Sequence, residues 1–339
     1  MGHSRRAFLR SAGASAAIVS PPLCALADSN ERPSPSPDEI AALFAHLPGD
    51  LALRIFVPGE KGERSFVTER NATTTLFVAS AIKTFALCEA LRQADSPGVV
   101  DLLEKRELPL DSTVWSPSSP TFNPPNLTGL VSERATLEAM ITSSDNTATD
   151  MIFALAGADN IRKFVASAGL THTLVPDSTR AFGAYLFGAP NYLTITWDEL
   201  LQVAQGPQVH PFLNRVETLA SSAEDLVSYY SRALRGEFFK HRETRDEFRR
   251  ILTLCDFIYL VPLPLGVSAY AKSGNADTPN FHARSIAGGL FVANHWIFFA
   301  FILNWYAASL EDPQTVDRFF SAIHRALAIV RDSLVCNAD

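Results

Sequence analysis

Leu76-Phe77-Val78-Ala79-Ser80-Ala81-Ile82-Lys83 decides how the rest of the chain is read, because it runs from a short apolar triplet into the first turn of an apolar helix. Residues three apart share a helix face, so Ser80 and Lys83 are expected side by side. A serine hydroxyl is a weak nucleophile until a neighbour takes its proton, and a partly desolvated lysine has a pKa depressed enough to help. The spacing alone carries little, since Ser-x-x-Lys arises by chance and an exposed, solvated pair is the plain alternative.

Two further stretches give it company. Ser143-Ser144-Asp145-Asn146 lies between the apolar helical segments 137–141 and 151–156, where Ser144 is placed to relay a proton and Asn146 to cap or hydrogen-bond. Lys272-Ser273-Gly274-Asn275 follows the strand candidate Ala269-Tyr270-Ala271, and its glycine lets a substrate backbone approach closely. The order and character of the three resemble class A serine β-lactamases and the related penicillin-binding proteins.

That resemblance implies roles residue by residue. Ser80 becomes acylated, Lys83 and Ser144 handle its proton and that of the leaving group, and Asn146 holds Lys83 and a substrate amide. Lys272 and Ser273 bind a substrate carboxylate beside Gly274. The oxyanion lies between the backbone N–H groups of Ser80 and Asn275, where donors aimed at developing charge contribute most; the Asn275 side chain itself is expected either in the site or in solvent. The family's deacylating glutamate stands in a Glu-x-x-Leu-Asn loop, and no such sequence occurs between Asn146 and Lys272. The nearest match is His210-Pro211-Phe212-Leu213-Asn214, which puts His210, a competent base when neutral, where the glutamate belongs. An ordinary loop histidine is the alternative, with Asp177, Asp198 and Glu199 as weaker candidates for the base. Asp198 and Glu199 also suit the first turn of a helix carrying Leu200, Leu201 and Val203. Strand alternation puts His282 and Arg284 on one face, from which Arg284 is a candidate for a substrate carboxylate.

Around these motifs the chain orders itself. The first helix is expected from an Asp38 cap, with Ile40, Leu43, Phe44 and Leu47 on one face, and a strand over 51–57. Helical periodicity then dominates to about residue 254, with a Pro/Ser loop over 116–125 beside Trp115. Strand signals return over 269–272, 285–293 and 297–303, followed by a helix with Val316, Phe319, Phe320, Ile323, Leu327 and Val330 as its stripe. Strands at the two ends must find each other. The expected fold is α/β of the α+β type, an antiparallel sheet built from both chain ends (38–75 and 255–339) and flanked by helices, with an all-helical lobe (76–254) inserted, as in β-lactamases. The charged run 240–250 is expected to be a solvated helix face with Phe248, Ile251 and Leu252 turned inward.

Composition bounds the function. The chain has 339 residues, 47% hydrophobic, with 4 Cys and a formal charge of -7, which excludes a disulfide miniprotein and gives no electrostatic case for nucleic acid. Ser4-Arg5-Arg6-Ala7-Phe8-Leu9-Arg10, a mild apolar run over 12–19 and Ala25-Leu26-Ala27 resemble a twin-arginine export signal, giving a signal peptide 1–27, a linker 28–37 and one domain over 38–339. Cleavage would take the net charge to -10 by removing Arg5, Arg6 and Arg10, and would leave Cys88, Cys255 and Cys336, an odd number. The mature protein is expected to be periplasmic or secreted, with no membrane span. The eight histidines of the full sequence show no metal-ligand spacing, so neither a metal nor a cofactor is expected. The expected activity is that of an exported serine hydrolase acting on a small-molecule acyl substrate through an acyl-enzyme on Ser80, with β-lactam hydrolysis first. An esterase or amidase of the same fold, or a penicillin-binding or sensor-like module that acylates without turnover, is the alternative.

Overall fold

The computed structural model describes residues 36–59, 64–255 and 267–336. The expected signal segment and the linker up to residue 35 lie outside them. The order is α1 (Pro37–Ala42), β1 (Asp50–Val57), β2 (Phe66–Arg70), β3 (Leu76–Phe77), a 3-10 turn (Ala79–Ile82), α2 (Lys83–Ala94), α3 (Val99–Lys105), β4 (Glu107–Leu110), β5 (Gly129–Ser132), α4 (Glu133–Thr142), α5 (Asn146–Ala156) and α6 (Ala158–Ser167). It continues with α7 (Thr179–Leu186), α8 (Trp197–Val203), β6 (Ala220–Ser221), α9 (Ala223–Ala233), α10 (Arg242–Leu252), β7 (Ser268–Thr278), β8 (Phe281–Val292), β9 (His295–Trp305) and α11 (Pro313–Cys336).

The main sheet runs β2-β1-β9-β8-β7, antiparallel at every pair, so the two ends of the chain do meet: Leu53 faces Phe301 and Ala287 faces Ala300. Alternation along β9 divides two cores. Phe298, Ala300 and Ile302 face the helical lobe, while Ile297, Phe299, Phe301 and Leu303 face α1 and α11. Both faces are therefore covered, which is why 297–303 reads as an unbroken apolar run. The stripe of α11 packs there through Phe319, Ile323, Leu327 and Val330.

Several expectations need correction. The α1 cap is Ser36, with Pro37 in the first turn and Asp38 and Glu39 behind it, because proline's fixed φ and missing N–H suit the first helical position. Strands also occur early and in the middle of the chain. β2 buries only Thr68, β4 pairs with β5, and β3 and β6 are two residues each. The charged helix α10 is not wholly solvated, since Glu247 is buried between Arg134 (2.9 Å) and Arg250 (2.7 Å), while Phe248, Ile251 and Leu252 do turn inward. Asp198 and Glu199 occupy the first turn of α8, capped by Thr196 in a reciprocal box with Glu199. Cys88 and Cys255 are buried, unpaired thiols. No helix among the described residues is long and apolar enough to cross a membrane.

Candidate active site

The turn that carries Ser80 is held from the sheet. Asn304 on β9 mimics a strand partner for Phe77: its Oδ1 accepts from Phe77 N–H (3.0 Å) and its Nδ2 donates to Phe77 C=O (2.9 Å). Ser285 on β8 donates to Val78 C=O (2.7 Å), and Val78 N–H reaches Leu219 C=O (2.8 Å). Ala79 then takes a left-handed φ of 48°, and the chain winds through the 3-10 turn into α2. Ser80 is half-buried in this turn, whereas Lys83 is fully buried.

Lys83 Nζ donates to Ser144 C=O (2.5 Å), Asn146 Oδ1 (2.7 Å) and Ser144 Oγ (3.2 Å); none of the three bonds goes to Ser80. Burial holds the Lys83 ammonium well below its usual pKa; the nearby Lys272 charge lowers it further, against the opposing pull of Asp145 and Asp150. Ser144 is brought to the amine by its own left-handed backbone, φ 56°. The next residue fixes that kink. Asp145 caps α5 through Ala148 N–H (2.8 Å), and its other oxygen accepts from Thr121 and Phe122 N–H (2.9 Å each). Asn146 Nδ2 donates to Pro117 C=O (2.8 Å), so the Pro/Ser loop orients the amide that faces Lys83.

From the other side β7, the edge strand, presses on the same turn. A Cβ at Gly274 would lie 2.1 Å from Val78 O, 2.8 Å from Ala81 N and 2.8 Å from Ser285 Oγ. This glycine was expected to let a substrate approach closely; the close approach the structure shows is that of the turn carrying Ser80. Lys272 is fully buried and donates to Ser273 C=O (2.9 Å), while the buried Ser273 Oγ has no hydrogen-bond partner among the described residues. Asn275 is exposed and pairs in register with Arg284.

Other candidates are placed differently. Arg284 is held by Asp277 through two bonds (3.0 and 2.8 Å), and Asp277 also meets His282 Nδ1 (2.9 Å), so both basic side chains do share a face but converge on one carboxylate. The His210 ring stacks on Tyr185 with centroids 4.1 Å apart, and the His210 backbone N–H donates to Leu186 C=O (3.1 Å). Among the described residues, no hydrogen bond, ion pair or ring contact joins His210 to Ser80, Lys83, Ser144 or Asn146. Phe212, two residues on, packs against Phe77 (5.0 Å) and Phe281 (4.6 Å). Trp115 lies edge-on to Trp197 (5.9 Å). Asp177 is bound by Arg162 Nη2 (2.6 Å).

Two residues that no motif marks belong to the same framework. Asp150 on α5 accepts from Thr179 N–H and Oγ1 (2.7 Å each) and from Arg180 N–H (3.0 Å). Burial nevertheless pushes its carboxyl up to about 6. Thr179 also donates to Asn146 C=O (3.3 Å), which ties the start of α7 to the loop that serves Lys83. Ser285 and Asn304 were likewise invisible, because each reads as one polar residue in an apolar strand.

Comparison with known proteins bears on family and fold. The β-lactamase enzyme family matches over residues 8–318, and the chain belongs to that family. Among solved structures it is similar to a class A β-lactamase from Bacteroides cellulosilyticus (17% identity, TM-score 0.65, covering 89% of this chain and 97% of that one). It is similar too to a class A β-lactamase from Mycobacterium abscessus (17%, TM-score 0.62, 87% and 97%) and to PBP-A (19%, TM-score 0.61, 86% and 94%). No curated protein matches. Family and fold together support a serine hydrolase of the β-lactamase type.

Proposed function

We propose that the protein is exported and acylates on Ser80, with a β-lactam as its first expected substrate and a simple ester or amide as the alternative. The observation that carries this reading is the buried Lys83, which meets Ser144 and Asn146 one helical turn from a half-exposed serine. In its neutral form Lys83 accepts the Ser80 proton, directly or through Ser144, as Oγ attacks the acyl carbon; the C–N or C–O bond to the leaving group then breaks and the leaving atom takes that proton back. The unpartnered Ser273 hydroxyl beside Lys272 is suited to a substrate carboxylate. Asn275 and Ser80 N–H groups are proposed as the oxyanion donors. Arg284 reaches a substrate only by sharing or leaving Asp277. Passage through the twin-arginine route rests on the Arg5-Arg6 leader.

Hydrolysis of the acyl-enzyme needs a base, and the proposal assigns it to His210 on the strength of Phe212, which packs against the strand leading to Ser80. A second reading is favoured by one observation: among the described residues no carboxylate hydrogen-bonds to Lys83, so a module that acylates and stays acylated also fits. Intact-mass detection after incubation with a reactive β-lactam tests both. An adduct is expected on the wild type and not on Ser80→Ala, and labelling of Ser80→Ala would overturn the serine assignment. With His210→Ala the adduct should form at the wild-type rate and persist; an unchanged rate of adduct loss removes His210 from the mechanism.

A further inference from the structure

A cavity of about 500 Å³ opens where the segment 112–115 faces the start of α7 and the loop that leads into α8; Trp115, Ser178, Arg180, Leu193, Ile195 and Trp197 line it. None of the described residues that line it belongs to the set around Ser80 and Lys83, and its size is that of a small-molecule site. Arg180 is 9% exposed, and its guanidinium donates to the C=O groups of Ser112 (2.7 Å), Trp115 (3.3 Å) and Ile195. Carbonyls satisfy those N–H donors, but among the described residues no carboxylate pairs with the cation. Asp150 takes the Arg180 backbone N–H (3.0 Å) and the Thr179 hydroxyl (2.7 Å), and Glu199 turns back on Thr196 N–H and Oγ1 (2.8 Å each). Burial accordingly holds the guanidinium below its usual pKa, against the pull of both carboxylates. Burying a cation without a counter-ion is costly, and an anion that enters the cavity removes that cost.

We propose that this cavity binds a small aromatic carboxylate, with the carboxylate on Arg180 and the ring against Trp115 and Trp197. The two indoles meet edge-on with centroids 5.9 Å apart, and each is only half-buried, so aromatic surface remains open on the cavity wall. A further ring packs against such a surface offset or edge-to-face. The Trp115 indole N–H is buried and has no acceptor among the described residues, so the wall is short of acceptors as well as of negative charge, and a carboxylate supplies both. The walls are fixed to each other before any ligand arrives: Ser116 Oγ, one residue past Trp115, meets Thr179 Oγ1 (3.0 Å), one residue before Arg180. Less ordering is then lost on binding. Asp198 is the acidic residue on the rim; it is exposed, so water and salt screen its repulsion of an anion.

The test titrates phenylacetate, with phenylacetamide as its uncharged twin, into isotope-labelled protein while the indole N–H signals are followed by NMR. Four tryptophans give four such signals, and Trp115→Phe and Trp197→Phe assign the two of the cavity. Phenylacetate should shift those two, leave the signals of Trp296 and Trp305 in place and saturate with a Kd of about 1 mM, and phenylacetamide should bind at least about 10-fold more weakly. Arg180→Gln removes the cation while its amide still donates to the neighbouring carbonyls, and should erase the preference for the acid. Asp198→Asn leaves Arg180 and its carbonyls untouched and should tighten phenylacetate about 2-fold, which keeps the proposal open to refutation if Arg180→Gln fails to fold. Equal shifts with acid and amide, signals that stay in place at about 20 mM phenylacetate, or a preference that survives Arg180→Gln overturn the site. Weaker binding of phenylacetate to Asp198→Asn would put a cation in the cavity and overturn it too. No step needs Ser80 to be acylated, so failure of the function proposed above and failure of this site are told apart.

Discussion

Replacing Gly274 by alanine asks directly whether β7 and the turn carrying Ser80 are in contact at the height described. The added Cβ would lie 2.1 Å from Val78 O, two of the three atoms it meets are backbone, and the third is the Ser285 hydroxyl that holds Val78. A carbon approaches a carbonyl oxygen no closer than about 3.3 Å, so strand and turn must part by about 1.2 Å. Overpacking of this kind costs about 1–3 kcal/mol, while a misplacement of about 1 Å at a reacting centre costs about 10²-fold in rate. The effect on rate should therefore exceed the effect on stability. Acylation would be followed by quenched intact-mass measurement of the Ser80 adduct, and folding by thermal melting, where a fall of about 2–8 °C is expected. Acylation at the wild-type rate, with or without a lower melting temperature, would refute the claim that this contact sets the position of Ser80.

Two other outcomes follow from the same geometry. Because burial and Lys272 hold Lys83 well below its usual range, kcat for acylation should rise with pH as Lys83 loses its proton and level off far below pH 10.5; Lys272→Ala should move that rise to higher pH, and Lys83→Ala should cost about 10²–10⁴-fold in rate. A rise that Lys272→Ala leaves in place would separate the two amines. Asn304→Leu strips both buried backbone groups of Phe77 of their partners, which should cost about 2–4 kcal/mol in denaturant unfolding; a loss under about 1 kcal/mol would show that water replaces the amide.

What could be read from the sequence was what recurs locally. Ser80 and Lys83 on one turn, the Ser144-Asp145-Asn146 kink and the glycine after Lys272 each follow from short spacing and residue type, and the run 297–303 announced a strand buried on both faces. β2 escaped because Phe66–Arg70 buries only Thr68 and carries no apolar alternation, and β3 and β6 because two residues have no periodicity. Arg180 gave no signal, since nothing near it in sequence predicts that its guanidinium is buried among the carbonyls of Ser112, Trp115 and Ile195. Asp177 was weighed as a base, but its partners Arg162 and Glu217 come from 15 and 40 residues away. His210 was legible only through the short Leu-Asn match, whereas its stacking on Tyr185 depends on α7, which that match does not reach.

The grip of Asn304 on Phe77 spans 227 residues, and β1 likewise waits for β9 before it has a neighbour on that side. Pairings so distant close late, because loop entropy is spent before they form. A nascent chain therefore displays Ser80 and Lys83 long before anything holds them in register. The turn that carries Ser80 is held by the last strand of the sheet, so its geometry arrives with completion of the fold and is withheld from every shorter chain that precedes it.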